Sequence, residues 1–158
     1  MDTPTRKPNR LDGYDYSADG AYFITICAKD RKCLFSRIPV GADIIRPPEI
    51  VLTDYGRIVE QAIMNIPEHY SNAEVLAYVI MPNHVHILLR LTEYDGRMVS
   101  APTIIGQMKR YVSKEAGFSI WQKGFYDHVI RGERDYQMIW EYIDTNPAKW
   151  REDELYIE

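Results

Sequence analysis

Two histidines, His84 and His86, stand one residue apart inside an otherwise apolar run, YVIMPNHVHILLRL, at residues 78–91. In an extended strand, residues two apart point the same way and lie roughly 6.5–7 Å apart. His84, His86, Leu88 and Arg90 then share one face, and Val85, Ile87, Leu89 and Leu91 share the other, which reads as core. Two imidazoles on one face can converge on a divalent metal ion. The plainer alternative is a pair of solvent-facing histidines on a half-exposed strand. A working metal site needs a third ligand and an open position.

The stretch KRYVSKE, residues 109–115, offers one. On a helix, Tyr111 and Glu115 are i, i+4 neighbours about 6 Å apart. If that helix crossed the histidine face of the sheet, Glu115 would complete a two-histidine, one-carboxylate site with Tyr111 beside it. The plainer alternative for Tyr111 is a helix-surface tyrosine at the edge of the core. His128, in FYDHVIR, is a weaker candidate, more in keeping with a structural hydrogen bond at a sheet surface, and His69 reads as surface.

These residues need a scaffold. Residues 1–20 are an irregular lead-in, and Ala21 to Ala28 is a strand by its aromatic and β-branched content. RIPVGADIIRPPEI, with three prolines and a glycine, is a loop or edge hairpin, with a short strand at Glu49 to Leu52. Thr53 or Asp54 caps a helix to about Asn65 that Pro67 stops, with Ile58, Ala62 and Ile63 on one face. Ala73 to Met81 and Val85 to Leu91 pair through the Pro82–Asn83 turn. A helix starts at Ser100 to Thr103 and ends at Gly117. A strand follows at Phe125 to Ile130. The last helix spans Gly132 to Asn146, with Tyr136, Ile139, Trp140 and Ile143 on one stripe and Pro147 as its stop. The order implies one α+β domain over residues 1–158, a mainly antiparallel sheet with helices on one face.

Composition narrows the class. The chain has 158 residues, enough for one core, and its 46% hydrophobic and 27% charged residues describe a globular protein. No apolar run approaches the ~20 residues that cross a bilayer. The start, MDTPTRKPNR, has no apolar signal core, so a cytoplasmic protein without membrane partners is expected. Two cysteines, Cys27 and Cys33, read as reduced thiols. The net charge of −4 argues against nonspecific coating of nucleic acid. Its distribution is uneven: residues 103–131 carry five basic and two acidic side chains, residues 133–158 three and eight.

Three ordered segments, MPNHVHILL, IIGQMKRYVSKE and WQKGFYDHVIRGERDYQMIWEYIDTNPAKW, resemble the single-tyrosine HUH transposases, and more narrowly their REP-associated tyrosine transposase branch. DYSADGAYFITICAKDR resembles the branch's first strand, so the likeness covers nearly the whole chain. The resemblance implies a ferredoxin- or RRM-like HUH nuclease fold. It implies His84 and His86 as metal ligands, Tyr111 as nucleophile and Glu115 as third ligand. It also implies Mn²⁺ or Mg²⁺ as cofactor, and single-stranded or hairpin DNA as partner. The expected reaction is cleavage and strand transfer through a 5′-phosphotyrosine. Lys109, Arg110, Lys114, Lys123 and Arg131 would meet phosphates, and Trp121, or Phe125 or Tyr126, would stack on unpaired bases. For Trp121, core packing is the competing reading. Some relatives exchange the tyrosine helix between two subunits, whereas the REP-associated branch tends to act as a monomer, so monomer and homodimer both stand. A hairpin-binding protein that no longer cuts, and a metal hydrolase using water, are the rival readings. The hydrolase would not need Tyr111.

Overall fold

The computed structural model describes residues 20–39, 49–92 and 99–157. The expected lead-in, much of the proline-rich loop and most of the link after Leu91 lie outside them. A four-stranded sheet is built from β1 (Gly20–Cys27), β4 (Ala73–Ile80), β5 (His84–Leu91) and β6 (Tyr126–Val129), in the order β4-β5-β1-β6. Every neighbouring pair is antiparallel. A two-stranded ribbon, β2 (Ser36–Arg37) with β3 (Val51–Leu52), stands apart. The helices are α1 (Asp54–Met64), α2 (Ile66–His69), α3 (Ala101–Ala116) and α4 (Glu133–Thr145). The α+β class and the antiparallel sheet agree with the sequence.

Local chemistry sets the boundaries. Thr53 caps α1 by accepting from the Gly56 N–H, and its hydroxyl donates to the Leu34 and Phe35 carbonyls. Pro67 does not end α1. That helix stops at Met64, and Pro67 sits in the first turn of α2, where a missing N–H costs nothing. Ser100 caps α3, and Gly117 closes it at φ 87°, a left-handed conformation that glycine tolerates. Pro147 follows α4 and opens a 3-10 segment, Pro147–Glu152.

Both faces of the sheet are covered, which corrects the expectation of helices on one face: α4 packs opposite α1 and α3. On one, Tyr22, Ile24, Ile26, Val85, Ile87 and Leu89 pack with Val59 and Ile63 of α1 and with Ile104, Ile105, Met108 and Val112 of α3. On the other, Val79, Met81 and Leu88 pack with Ile143 of α4 and with Trp150. Two-sided burial explains why β5 is apolar almost throughout. Of α4's expected stripe, Ile143 is buried, Tyr136 and Ile139 are half-buried, and Trp140 is exposed. Among the described residues no helix is long and apolar enough to cross a membrane. Cys27 and Cys33 are free thiols.

Candidate functional site

The β1–β5 register pairs Thr25 with His86 and Cys27 with His84, and the β1–β6 register pairs Thr25 with Tyr126. Directly paired residues project to the same side, so Val79, His86, Thr25 and Tyr126 form one row across the sheet. This is the α4 side. His84 is 0% and His86 3% exposed. Their rings meet edge to face at 4.7 Å. Phe23 stacks on His86 at 5.0 Å, Tyr142 lies edge-on to it at 5.4 Å, and Trp150 flanks His84 at 6.0 Å.

The hydrogen bonds decide which nitrogen of each ring is free. Asn83 donates through Nδ2 to the carbonyls of Leu155 and Arg31, at 2.6 and 3.3 Å. That orientation turns its Oδ1 to His84 Nδ1 at 2.8 Å, where it can only accept. His84 therefore carries its proton on Nδ1 and presents a bare Nε2. His86 Nδ1 sits 2.8 Å from the Thr25 hydroxyl, which accepts when Nδ1 is protonated. Both Nε2 atoms are buried without a hydrogen-bond partner, and so is the Asn146 Oδ1. Burial lowers the pKa of His84 to about 4 against an opposing pull from Asp153. Burial and the neighbouring His84 push His86 well below its usual range. Both rings are neutral at pH 7, the form that ligates metal.

Buried polar atoms are normally partnered, so several orphans in one place point to a missing ligand. Two imidazole nitrogens and an amide oxygen suit a divalent cation. Among the described residues no three His, Cys, Asp or Glu side chains form a ready metal-binding group. The other buried polar atom without a partner beside the histidine pair is an amide oxygen, of Asn146. Asp153, whose side chain is 2% exposed, stands close by, with Oδ2 3.5 Å from His84 Nε2.

Tyr142, 42% exposed, borders a cavity of about 490 Å³ that His86, Thr25, Tyr126, Gln122, Arg31 and Asp153 also line. Burial, reinforced by the Asp153 and Glu154 charges, raises its phenol pKa above 10. A second groove, lined by Lys29, Arg31, Gln122 and Lys123, shares Arg31 and Gln122 with the cavity.

Several sequence-based expectations are corrected. Tyr111 and Glu115 lie on α3, which packs on the sheet face opposite the imidazoles through Ile104, Ile105, Met108 and Val112. Both are exposed, and the fold does not bring them to His84 and His86. Trp121 is not a stacking platform. It is 6% exposed, packs on Phe35 at 4.9 Å, and donates its indole N–H to the Lys109 carbonyl. Phe125 is also buried, whereas Tyr126 is exposed at the cavity. Lys109 spends its ammonium on the carbonyls of Gln122 and Gly124. Arg110 and Lys114 are exposed on α3, and Lys123 and Arg131 are exposed near the other face. His128 bonds Asp135 at 2.8 Å, the structural role expected of it.

Tyr142, Asn146 and Asp153 were missed. The sequence does carry a signal: Tyr142 and Asn146 repeat the i, i+4 spacing of Tyr111 and Glu115, on the next helix.

No family model matches the chain. It is 32% identical to an uncharacterised protein of Haemophilus influenzae, over 97% of this chain and 94% of that one. It is 29% identical to a putative REP-associated tyrosine transposase of the same organism, over 85% of this chain and 74% of the relative. A REP-associated tyrosine transposase of Escherichia coli is 26% identical, over 85% and 70%. Among solved structures, a REP-associated tyrosine transposase bound to a REP hairpin matches with a TM-score of 0.65 at 24% identity, over 89% of this chain and 74% of that one. A putative transposase of Deinococcus radiodurans matches with a TM-score of 0.50 at 16% identity, over 86% and 95%, which supports the fold. By its sequence relatives, and with a fold to match, the chain belongs to the REP-associated tyrosine transposases, a family with a transposase-like role in DNA processing.

Proposed function

We propose that the protein cleaves and rejoins single-stranded DNA next to a hairpin, with Tyr142 as nucleophile and His84, His86 and Asn146 holding a divalent ion, Mn²⁺ or Mg²⁺. One observation carries this reading: the Nε2 atoms of the touching His84 and His86 rings are buried without a partner, and His86 lines one cavity with the accessible Tyr142. The Tyr142 hydroxyl would attack phosphorus, and the bond to the 3′ oxygen would break. The 5′ side then stays on Tyr142 as a phosphotyrosine, and the other fragment leaves with a protonated 3′-OH. A 3′-OH attacking the same phosphorus reverses the step, so no external energy source is needed.

A phenol near pKa 10 is a weak nucleophile at neutral pH, and Tyr142 is held above that by burial and by Asp153 and Glu154. A bound divalent ion supplies the missing positive charge, polarising the scissile phosphate and favouring the phenolate. Tyr126 offers an exposed ring for an unpaired base beside the site. The hairpin preference rests on the fold neighbour bound to a REP hairpin. Two free thiols fit a cytoplasmic setting.

The test is a denaturing gel with 5′- and 3′-labelled hairpin-bearing single-stranded DNA, Mn²⁺, and EDTA as control. Wild type and Tyr111→Phe should form a metal-dependent adduct on the 3′-labelled fragment, and Tyr142→Phe should form none. Hairpin binding without any adduct would establish the non-cutting DNA-binding protein instead. Cleavage without adduct by all three proteins would establish a hydrolase that uses water.

A further inference from the structure

We propose that Arg31 grips the scissile phosphate of the DNA, as the positive side chain that offsets its charge while Tyr142 attacks. This rests on the Tyr142 reading above, and the role of Arg31 needs no bound ion.

Arg31 stands where two spaces meet. It lines the cavity that Tyr142 and His86 line, and it also lines the groove of Lys29 and Lys123. Among the described residues around that cavity it is the one lysine or arginine, whereas Asp153 and Glu154 bring two carboxylates. A phosphodiester entering there meets two like charges and one opposite charge, and the opposite one is Arg31. The side chain is exposed, and among the described residues no carboxylate pairs with it. Its charge is felt at the sheet. Burial pushes the Cys27 thiol up, and Arg31 is the first group to pull it back; Cys27 stands opposite His84 in the β1–β5 register.

The bend that carries Arg31 is held from both sides. Asp30 and Arg31 have left-handed backbone, at φ 57° and 54°, a region that residues with side chains rarely enter. Such a bend persists where its surroundings fix it, and it gathers at functional places. Here the Arg31 N–H donates to the Ala28 carbonyl at 3.0 Å, and the Lys29 N–H donates to the Ile120 carbonyl at 2.9 Å. The Arg31 carbonyl accepts from Asn83 Nδ2 at 3.3 Å. Asn83 is also the residue whose Oδ1 meets His84 Nδ1. One amide therefore ties the Arg31 backbone to the His84 ring.

Arginine suits this task. Its planar fork can meet two phosphate oxygens at once. In the step, the Tyr142 oxygen bonds to phosphorus, the bond to the 3′ oxygen breaks, and the phenol's proton ends on that oxygen. The non-bridging oxygens gather negative charge as the new bond forms. Arg31 makes no covalent bond and stays protonated throughout, since a guanidinium titrates above pH ~12.

The readout is the single-turnover rate of adduct formation at saturating hairpin-bearing DNA, with affinity measured separately. Wild type, Arg31→Gly, Arg31→Lys and Lys32→Ala would be compared under one set of conditions. Each would meet a phosphodiester substrate and one with an uncharged methylphosphonate at the scissile linkage. Glycine enters the left-handed region freely, so Arg31→Gly removes the guanidinium without straining the bend. On the phosphodiester it should slow the step by about 100–1000-fold, the scale of losing one donor at developing charge. The slope of log affinity against log salt should fall by about 1. Arg31→Lys should recover part of the rate. Lys32→Ala removes a neighbouring charge that lines neither space, and it should match wild type. On the methylphosphonate the gap between wild type and Arg31→Gly should largely close. Equal rates for these two on the phosphodiester would overturn the proposal and leave Tyr142 in place. An equal gap on both substrates would also overturn it, because Arg31 would then not act on that phosphate's charge. If wild type forms no adduct, the nucleophile reading and this proposal fall together. Should Arg31→Gly fail to fold, Arg31→Gln carries the same comparison.

Discussion

Each histidine of the pair has one ring nitrogen hydrogen-bonded and one without a partner, and the bonded side sets what the other can do. For His86 the commitment is to Thr25, its direct partner across the β1–β5 ladder. Thr25→Val keeps the shape and removes the hydroxyl that bonds the ring. Its expected effect is a loss of Mn²⁺ affinity of about 10-fold, the scale of an outer-shell partner, with a stability change of about 1 kcal/mol. Calorimetry on the variant checks the first and a urea melt the second. Unchanged affinity would mean that Thr25 does not orient the ring. Trp121 is the opposite case, a residue whose type suggests base stacking and whose surroundings forbid it. Its indole is enclosed by Phe35 and bonded to Lys109. Trp121→Ala should cost ~3–5 kcal/mol of stability in denaturant unfolding, as other buried aromatics do. Trp121→Phe, which keeps most of the packing, should leave hairpin-DNA affinity as it was.

At the scale of elements, α1 and α4 are held at their starts by different means. At α1, Gly56 lies against the Phe35 carbonyl so closely that an added Cβ would stand 2.0 Å from that oxygen. Gly56→Ala must push the helix off the β2–β3 ribbon, at an expected cost of ~1–3 kcal/mol or more by urea melt. A neutral result would mean that the ribbon moves freely. At α4, the Arg131 N–H donates to Asp135 at 2.9 Å, and His128 bonds the same carboxylate. The Arg131 N–H, then His128, hold the Asp135 pKa below 3.8. The stability from this contact is therefore fully present above the unfolded carboxylate range and is lost as pH falls through the lower folded value. The Arg131 amide resonance should titrate with a midpoint below 3.8, and Asp135→Asn should remove that transition. A midpoint at or above 3.8 would refute the assignment.

Across the whole molecule, the cavity at Tyr142 runs into the groove of Lys29, Arg31 and Lys123, so a strand leaving the site has a basic path on a chain of net charge −4. Lys123→Ala should lower the slope of log affinity against log salt by about 1 for single-stranded DNA. Lys114→Ala, on the α3 face, should leave that slope unchanged, and equal effects would place the DNA elsewhere. The sequence by itself determined the element order, the antiparallel hairpin at Pro82–Asn83, the α3 boundaries and the histidine pair. These follow from short-range patterns: alternation, caps, turns and spacing. It did not determine which helix the histidines meet. Two helices present a tyrosine with a polar residue four places on, Tyr111 with Glu115 and Tyr142 with Asn146, and no local rule ranks one above the other. Near-continuous apolar character in β5 was the sequence signal that both of its faces are buried, and the two histidines masked it. The tertiary structure decided the matter because α3 spends its apolar stripe on the Val85–Leu91 face, leaving α4 and the turn at Asp153 to close over the imidazoles.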